Sequence, residues 1–315
     1  MLAEGLLALV RINLVMSLAL AFILLVRAPA RRLFGAHAAY ALWAMIPLAA
    51  LGAVMPLDMA GPPDGPIGAA TLGARAWLSG GHRSVWLLML WLAGALASAA
   101  LTGARQSRFM KAERSGRAGP AAVGVVTPRL VTPANFADRF PPAEWRLIRA
   151  HERAHIDRLD GRRLAAAIAI QCLCWFNPLG PLALSAFRLD QELACDATVM
   201  ERLPGERRRY AETLLRVQPD PFPSPLGANF RRGAALETRL AMLSQRPPSL
   251  DREELGFELL ALVWLGAFLA AWASEPPWRT PSQPPSMIAA RGEMIEAPSA
   301  PALDLPGMRL HSADR

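Results

Sequence analysis

Charge is missing from four long stretches of the chain. Ile12 to Val26 has no charged residue, and the segment from Leu2 adds apolar length despite Glu4 and Arg11. Ala36 to Leu57 is twenty-two residues without acid or base apart from His37, and Ser84 to Ala104 is twenty-one. Leu255 to Ala273 is interrupted only by Glu258. A bilayer core about 30 Å thick needs roughly 20 apolar residues in a helix. The pattern therefore predicts transmembrane helices over about 2–26, 36–57, 84–104 and 255–274. Arg11 must then snorkel or face a neighbouring helix, and Pro47 is expected to kink the second span, which membrane helices tolerate. Trp77, Trp86 and Trp91, near the start of the third span, suit an interfacial belt. A cleaved signal peptide is disfavoured, because the start is not clearly positive and Arg27-Ala28-Pro29 is a poor cleavage context.

The connecting segments set an orientation. Arg27, Arg31 and Arg32 read as a short basic loop, and Arg105, Arg108, Lys111, Arg114 and Arg117 follow the third span. Positive residues favour the cytoplasmic side. This places the N-terminus outside, residues 105–254 in the cytoplasm and the C-terminal tail outside. The Gly-Pro-rich loop after Leu57 is also outside. The last forty residues contain eight prolines and little periodicity, so 275–315 reads as a disordered external tail. The fold class is a predominantly α-helical polytopic membrane protein with four spans and a cytoplasmic domain between the third and fourth.

Composition supports this picture. The 315 residues are 53% hydrophobic with a net charge of +8. Between Leu101 and Leu255 stand 24 Lys or Arg against 17 Asp or Glu. Proximity to an anionic bilayer explains that excess better than nucleic acid, since no nucleic-acid module or aromatic interleaving accompanies it. Three cysteines do not make a disulfide framework, and Cys172 and Cys174 read as small buried side chains.

Within the cytoplasmic region, AAVGVVTPRLVT (121–132) reads as two short strands or a hairpin around Thr127-Pro128. Such an edge can take a substrate as an added strand. Pro141-Pro142 leads into a helix to Asp160, with Gly161 as a possible break. Leu164 to Phe176 is apolar but too short to span; it reads as a core helix or a segment dipping into the membrane surface. Asn177-Pro178-Leu179-Gly180-Pro181 is a turn, and Leu182 to Met200 a further helix.

The chemistry centres on AHERAHIDRLD (150–160). His151 and His155 are four apart, so both imidazoles lie on one helix face and can reach one ion. Glu152, beside the first of them, can act on a water held there; this is the HExxH zinc-peptidase arrangement. Two histidines are incomplete without a third ligand. Glu192, thirty-seven residues after His155, is a candidate, with Asp190 and Cys195 as rivals that periodicity does not separate. Asp196 could accept a proton from the outer nitrogen of a ligand histidine. Tyr210, the only tyrosine in this domain, is a candidate oxyanion donor.

The segments GVVTPRLVTP, LIRAHERAHIDRLD, WFNPL and RLDQELACDATV occur in this order. Together they resemble the membrane zinc metallopeptidases of the BlaR/MecR antirepressor family, the beta-lactam-sensor type. The resemblance runs from about Leu6 to Leu260. It implies a zincin-like (gluzincin-type) α+β domain and a bacterial inner-membrane location. It implies Zn2+ held by His151, His155 and Glu192, with Glu152 as catalytic glutamate and Asp196 behind a ligand. It also implies signalling that ends in self-cleavage or loss of a cytoplasmic transcriptional repressor. The antibiotic-sensing members carry a large penicillin-binding domain after the fourth span. Here that position holds the Pro-rich tail, which has no lysine and so neither SxxK nor KTG. The trigger is then expected to be a partner protein, the tail or envelope stress. A general quality-control peptidase and a non-enzymatic zinc-containing receptor or scaffold are the alternatives. A transporter would need strongly polar groups deep in the spans, and only Arg11, Asn13 and Glu258 are at hand, towards the margins.

Overall fold

The computed structural model describes residues 2–55, 73–74, 76–117, 119–217, 225 and 234–273. The expected Gly-Pro-rich loop falls mostly, and the Pro-rich tail wholly, outside these. Helix α1 (Leu2–Ala41) passes through a 3-10 turn (Leu42–Ala44) into α2 (Met45–Val54). Gly35, inside α1, has φ 92° and ψ 174°, a region essentially reserved for glycine, and the chain reverses there. Met16, Ala19, Leu20 and Ile23 before it share a core with Met45, Ile46, Ala49 and Ala53 after it. Three helical stretches, Leu2–Val54, Arg83–Arg114 and Leu250–Ala273, are long and apolar enough to cross a membrane. The first contains both predicted N-terminal spans, packed together as a hairpin. The 3-10 turn lies one turn before Pro47, where the carbonyl of residue 43 would meet the proline ring in a regular helix.

The basic loop expected at Arg27, Arg31 and Arg32 is instead helical up to the Gly35 hinge. The physical reason lies in what Arg27 and Arg31 touch. Four apart on one face, both reach the buried carboxylate of Asp190, at 2.8 and 3.2 Å. Trp43 Nε1 donates to the same carboxylate at 2.9 Å. Arg11 does face a neighbour: its Nη2 donates to the Ala271 carbonyl at 2.9 Å.

The third long helix, α3 (Arg83–Arg114), leads into a hairpin of β1 (Ala121–Val123) and β2 (Arg129–Val131). They pair antiparallel with Ala122 opposite Leu130, as the two β-branched runs predict. After a single turn, α4 (Phe136–Arg139), come α5 (Pro142–Asp157), α6 (Asp160–Leu173), α7 (Leu179–Arg202), α8 (Arg207–Arg216), α9 (Ala234–Ser244) and α10 (Leu250–Ala273). The break between α5 and α6 falls at Leu159, left-handed at φ 56°, two residues before the expected Gly161. Gly161 is needed for another reason: a Cβ there would lie 2.9 Å from the Gly124 carbonyl of the hairpin. The fold is thus mostly helical, with one two-stranded sheet among the described residues.

Two cores flank α7. Ala183, Phe187, Leu193 and Ala194 pack with the membrane hairpin and with Leu164 and Ile168 of α6. Val199 and Met200 pack instead with Leu147, Ile148, Tyr210, Leu214 and Leu243. The polar residues described below, Asp190 to Asp196, stand on α7 where these cores meet.

Helix α10 approaches α2 so closely that a Cβ on Gly52 would sit 2.4 Å from the Phe268 carbonyl, whereas one on Gly266 would meet nothing within 4 Å. Small residues permit such contact between membrane helices. Gly52→Leu is expected to force α2 and α10 apart at a cost of about 1–3 kcal/mol. Thermal unfolding in detergent should show this as a lowered midpoint, with Gly266→Leu near the wild type.

Candidate metal centre

Helix α5 begins with Pro142, which lacks the amide proton that would be unpaired there. Its buried face carries Leu147 and Ile148 and then His151, Glu152 and His155, each no more than 2% exposed. The imidazoles converge, with Nε2 of His151 and Nε2 of His155 3.1 Å apart. From α7, Glu192 meets both: Oε2 is 3.2 Å from His151 Nε2 and Oε1 is 3.6 Å from His155 Nε2. One ligand atom from each of the three lies within 4.8 Å of the others.

The rivals for the third position go elsewhere. Asp190 faces Arg27, Arg31 and Trp43 on the membrane hairpin. Cys195 lies on the far side of His155, its Sγ 3.1 Å from Nδ1 and 3.3 Å from Asp160 Oδ2. Burial and the neighbouring Asp160 push that thiol well up, so it stays protonated and donates to Asp160, unlike a thiolate ligand. His155, Asp160 and Cys195 also lie close enough to hold an ion, but this hydrogen-bonded set leaves the paired Nε2 atoms unused.

Each histidine is gripped from behind. His155 Nδ1 is 2.9 Å from Asp160 Oδ2, and Tyr40 donates to the other oxygen of Asp160 at 2.9 Å. Gln191 ties this pair together, donating to the Tyr40 hydroxyl at 3.1 Å and to the Asp160 carbonyl at 3.2 Å. His151 Nδ1 is 2.8 Å from the Tyr210 hydroxyl and 3.3 Å from Asp196 Oδ1. Tyr210 donates to Asp196 at 2.6 Å. Partners of this kind fix which nitrogen carries the proton and leave the other free for an ion.

Arg239 of α9 completes the cluster. It is 2% exposed, donates through Nε and Nη2 to both oxygens of Asp196 at 2.8 and 2.7 Å, and places Nη1 3.0 Å from Glu192 Oε2. Burial would raise both acids, but Arg239 and the histidines outweigh it and hold Glu192 and Asp196 below their usual range. His151 moves the other way. Against burial, the adjacent carboxylates of Asp196 and Glu192 raise it to about 9. Burial lifts Glu152, although His151 and His155 pull it down; its Oε2 accepts the amide of Ala122 from β1. Through that contact the hairpin sits against α5, and a shallow pocket lined by Ala122, Gly124, Pro128, His155, Leu159 and Gln191 opens there.

The donor set suits a divalent transition metal. Two imidazole nitrogens and one carboxylate are the ligands that zinc takes when a further position is left for water. Glu192 Oε2 is also buried without a well-formed hydrogen bond among the described residues. The six residues assigned chemical roles in the sequence, His151, Glu152, His155, Glu192, Asp196 and Tyr210, gather here. Sequence reasoning missed Asp160, Tyr40, Gln191 and Arg239. Two signals existed. The chain has only two tyrosines, and both end at this cluster. Arg239 is also a cation inside an otherwise mostly apolar run, AALETRLAML.

Comparison with curated proteins and with solved structures returned no match. A family model described as BlaR1 peptidase M56 matches residues 76–243, more than half of the chain, from before α3 to the end of α9 and including every residue of the cluster except Tyr40. With that match over a pair of histidines, an adjoining glutamate and the long apolar helix α3, and with two further long apolar stretches on either side of it, the chain belongs to the BlaR1 peptidase M56 family of membrane metallopeptidases.

Proposed function

We propose that the protein is a zinc-dependent endopeptidase that cleaves peptide bonds at the cytoplasmic side of a bacterial inner membrane. In this reading it acts in signalling, through self-cleavage, loss of a transcriptional repressor, or both. The observation that carries the peptidase reading is the convergence of His151, His155 and Glu192 from two separate helices, beside the buried carboxylate of Glu152. The signalling role rests on the family alone, and the sidedness on the arginines that follow the third span.

His151, His155 and Glu192 would hold the ion. Bound there, Zn2+ supplies Lewis acidity, lowering the pKa of a water and polarising a carbonyl. The protein does the rest. Asp160 and Tyr40 hold the His155 ring through Nδ1, and Asp196 and Tyr210 hold that of His151. The Tyr210 hydroxyl lies on the outer side of His151 and is engaged by Asp196, so we assign it a positioning role in place of the oxyanion role. Arg239 keeps Glu192 and Asp196 ionised, and an ionised Glu192 is the better metal ligand. Glu152, with a pKa raised by burial, can take a proton from the attacking water and return it to the leaving amine. The β1–β2 hairpin beside Glu152 offers an extended substrate a backbone edge.

Three outcomes check this reading. Elemental analysis of detergent-purified protein should find near one zinc per chain, and much less for Glu192→Ala; full zinc in that variant would move the third ligand elsewhere. Glu152→Ala should retain zinc while cleavage, followed by intact mass on the protein itself and on a panel of peptides, drops at least about 100-fold. Wild-type cleavage by that variant would refute the general-base assignment. Tyr40→Phe keeps the ring against Phe187 but removes the hydrogen bond to Asp160. Zinc affinity, measured against a competing chelator, should weaken about 10-fold.

A further inference from the structure

The helical hairpin formed by α6 and α7 carries no charged residue between Arg163 and Arg188, and its tip contacts the membrane helices far from their basic ends. We propose that this hairpin is immersed in the bilayer, with the turn at Leu173–Leu182 surrounded by lipid acyl chains. The proposal does not depend on the peptidase reading.

The first observation is depth. At the tip, Asn177 donates to Asn13 Oδ1 at 3.0 Å and to Ser17 Oγ at 2.9 Å, both in α1. On the other side, Trp91 of α3 donates to the Leu173 carbonyl at 2.9 Å. A Cβ on Gly94 would fall within 2.1 Å of the Trp175 ring. At the opposite end, Arg27 of α1 meets Asp190 and the Ala186 carbonyl. Asn13 to Arg27 is fourteen residues, as is Trp91 to Arg105, the first cation after the third apolar block; each distance is about 21 Å at 1.5 Å per residue. Along α7, Leu179 on to Asp190, the residue that Arg27 meets, is eleven residues, about 16 Å. The three helical rulers thus run from about 16 to 21 Å. When Arg27 and Arg105 lie at a membrane surface, the tip lies beyond the middle of a hydrocarbon core about 30 Å thick.

The second observation is the chemistry of the tip. Irregular backbone survives at that depth only when its polar groups are satisfied within the protein. Here the amides of Cys174, Asn177 and Gly180 bond back to Ile170, Cys174 and Asn177. The Leu179 amide donates to Asn177 Oδ1, and Trp175 Nε1 donates to the Trp91 carbonyl at 3.2 Å. Cys172 accepts from Ser98 Oγ at 3.5 Å. What remains exposed is apolar and large: Leu173, Trp175, Phe176 and Leu182 are 40–61% exposed. Their surface continues that of α3, whose most apolar window has no buried residue. In water this would be a large hydrophobic patch; in a bilayer it needs no protein partner.

The test is spin-label accessibility on the full chain in phosphatidylcholine–phosphatidylglycerol nanodiscs. Cys172→Ala and Cys174→Ala provide the background, with the fully buried Cys195 left in place and an unchanged thermal-unfolding midpoint in detergent showing that the fold is kept. Labels go at Phe176→Cys, at Leu182→Cys and, near the other end of α7, at Glu201→Cys. Immersion predicts an oxygen-to-nickel-chelate accessibility ratio well above one at 176 and 182 and below one at 201. A ratio below one at 176 and 182 would put the tip in water and overturn the proposal. Low accessibility to both reagents there would mean that protein, such as a second copy of the chain, covers the tip, and would overturn it equally. If the Phe176 label lowers the unfolding midpoint, Leu182, which is 61% exposed, carries the test alone.

Discussion

The arrangement turns on burying charge. His151, Asp196 and Arg239 are each no more than 2% exposed, and the side chain of Glu192 is 12% exposed. Removing one charge from water costs several kcal/mol even after relaxation, so none of these groups can be buried without the others. The constraint fixes more than the site. Arg239 must come from α9, Glu192 and Asp196 from one face of α7, and His151 from α5, so these helices have one mutual packing that leaves no charge stranded. Tyr210 then draws α8 into the same contact.

A second buried acid plays the same part towards the membrane. Asp190 stands two residues before Glu192 on α7 and is held by Arg27, Arg31 and Trp43. Pairing an aspartate with two arginines and an indole serves less to add stability, since buried ion pairs tend to break even against apolar packing, than to fix register. It leaves one seating for α7 against the membrane hairpin. Tyr40, from the same hairpin, reaches Asp160 and through it His155. The N-terminal helices are thus part of the frame that orients one of the candidate ligands.

Much of this was legible in the sequence. Charge-poor blocks marked the long apolar helices because lipid tolerates little else, and the i, i+4 histidines marked the site because helical spacing alone aligns them. Spacing could nominate Glu192 and Asp196 but only the family resemblance chose them, since Asp190 and Cys195 occupy the same helix and tertiary packing decides which carboxylate faces which helix. The Gly35 reversal was hidden because a basic run before it resembles a loop; Arg27 and Arg31 sit in a helix facing an acid 163 and 159 residues away in sequence. Arg239 and Tyr40 are single residues with no spacing relation to HExxH, and their place follows solely from the three-dimensional partners of Asp196 and Asp160.

The position of Arg239 in the chain has a consequence for synthesis. Both histidines, Glu192 and Asp196 have been made before residue 200, whereas the only arginine within reach of Glu192 and Asp196 among the described residues arrives some forty residues later. A nascent chain that has just released α7 has only the imidazoles of α5 to set against these two acids, too few cations for the final pairing. The cluster can close in its final form only as α9 emerges, shortly before the last apolar helix. The order of translation itself thereby delays completion of the centre until nearly all of the membrane-embedded frame exists.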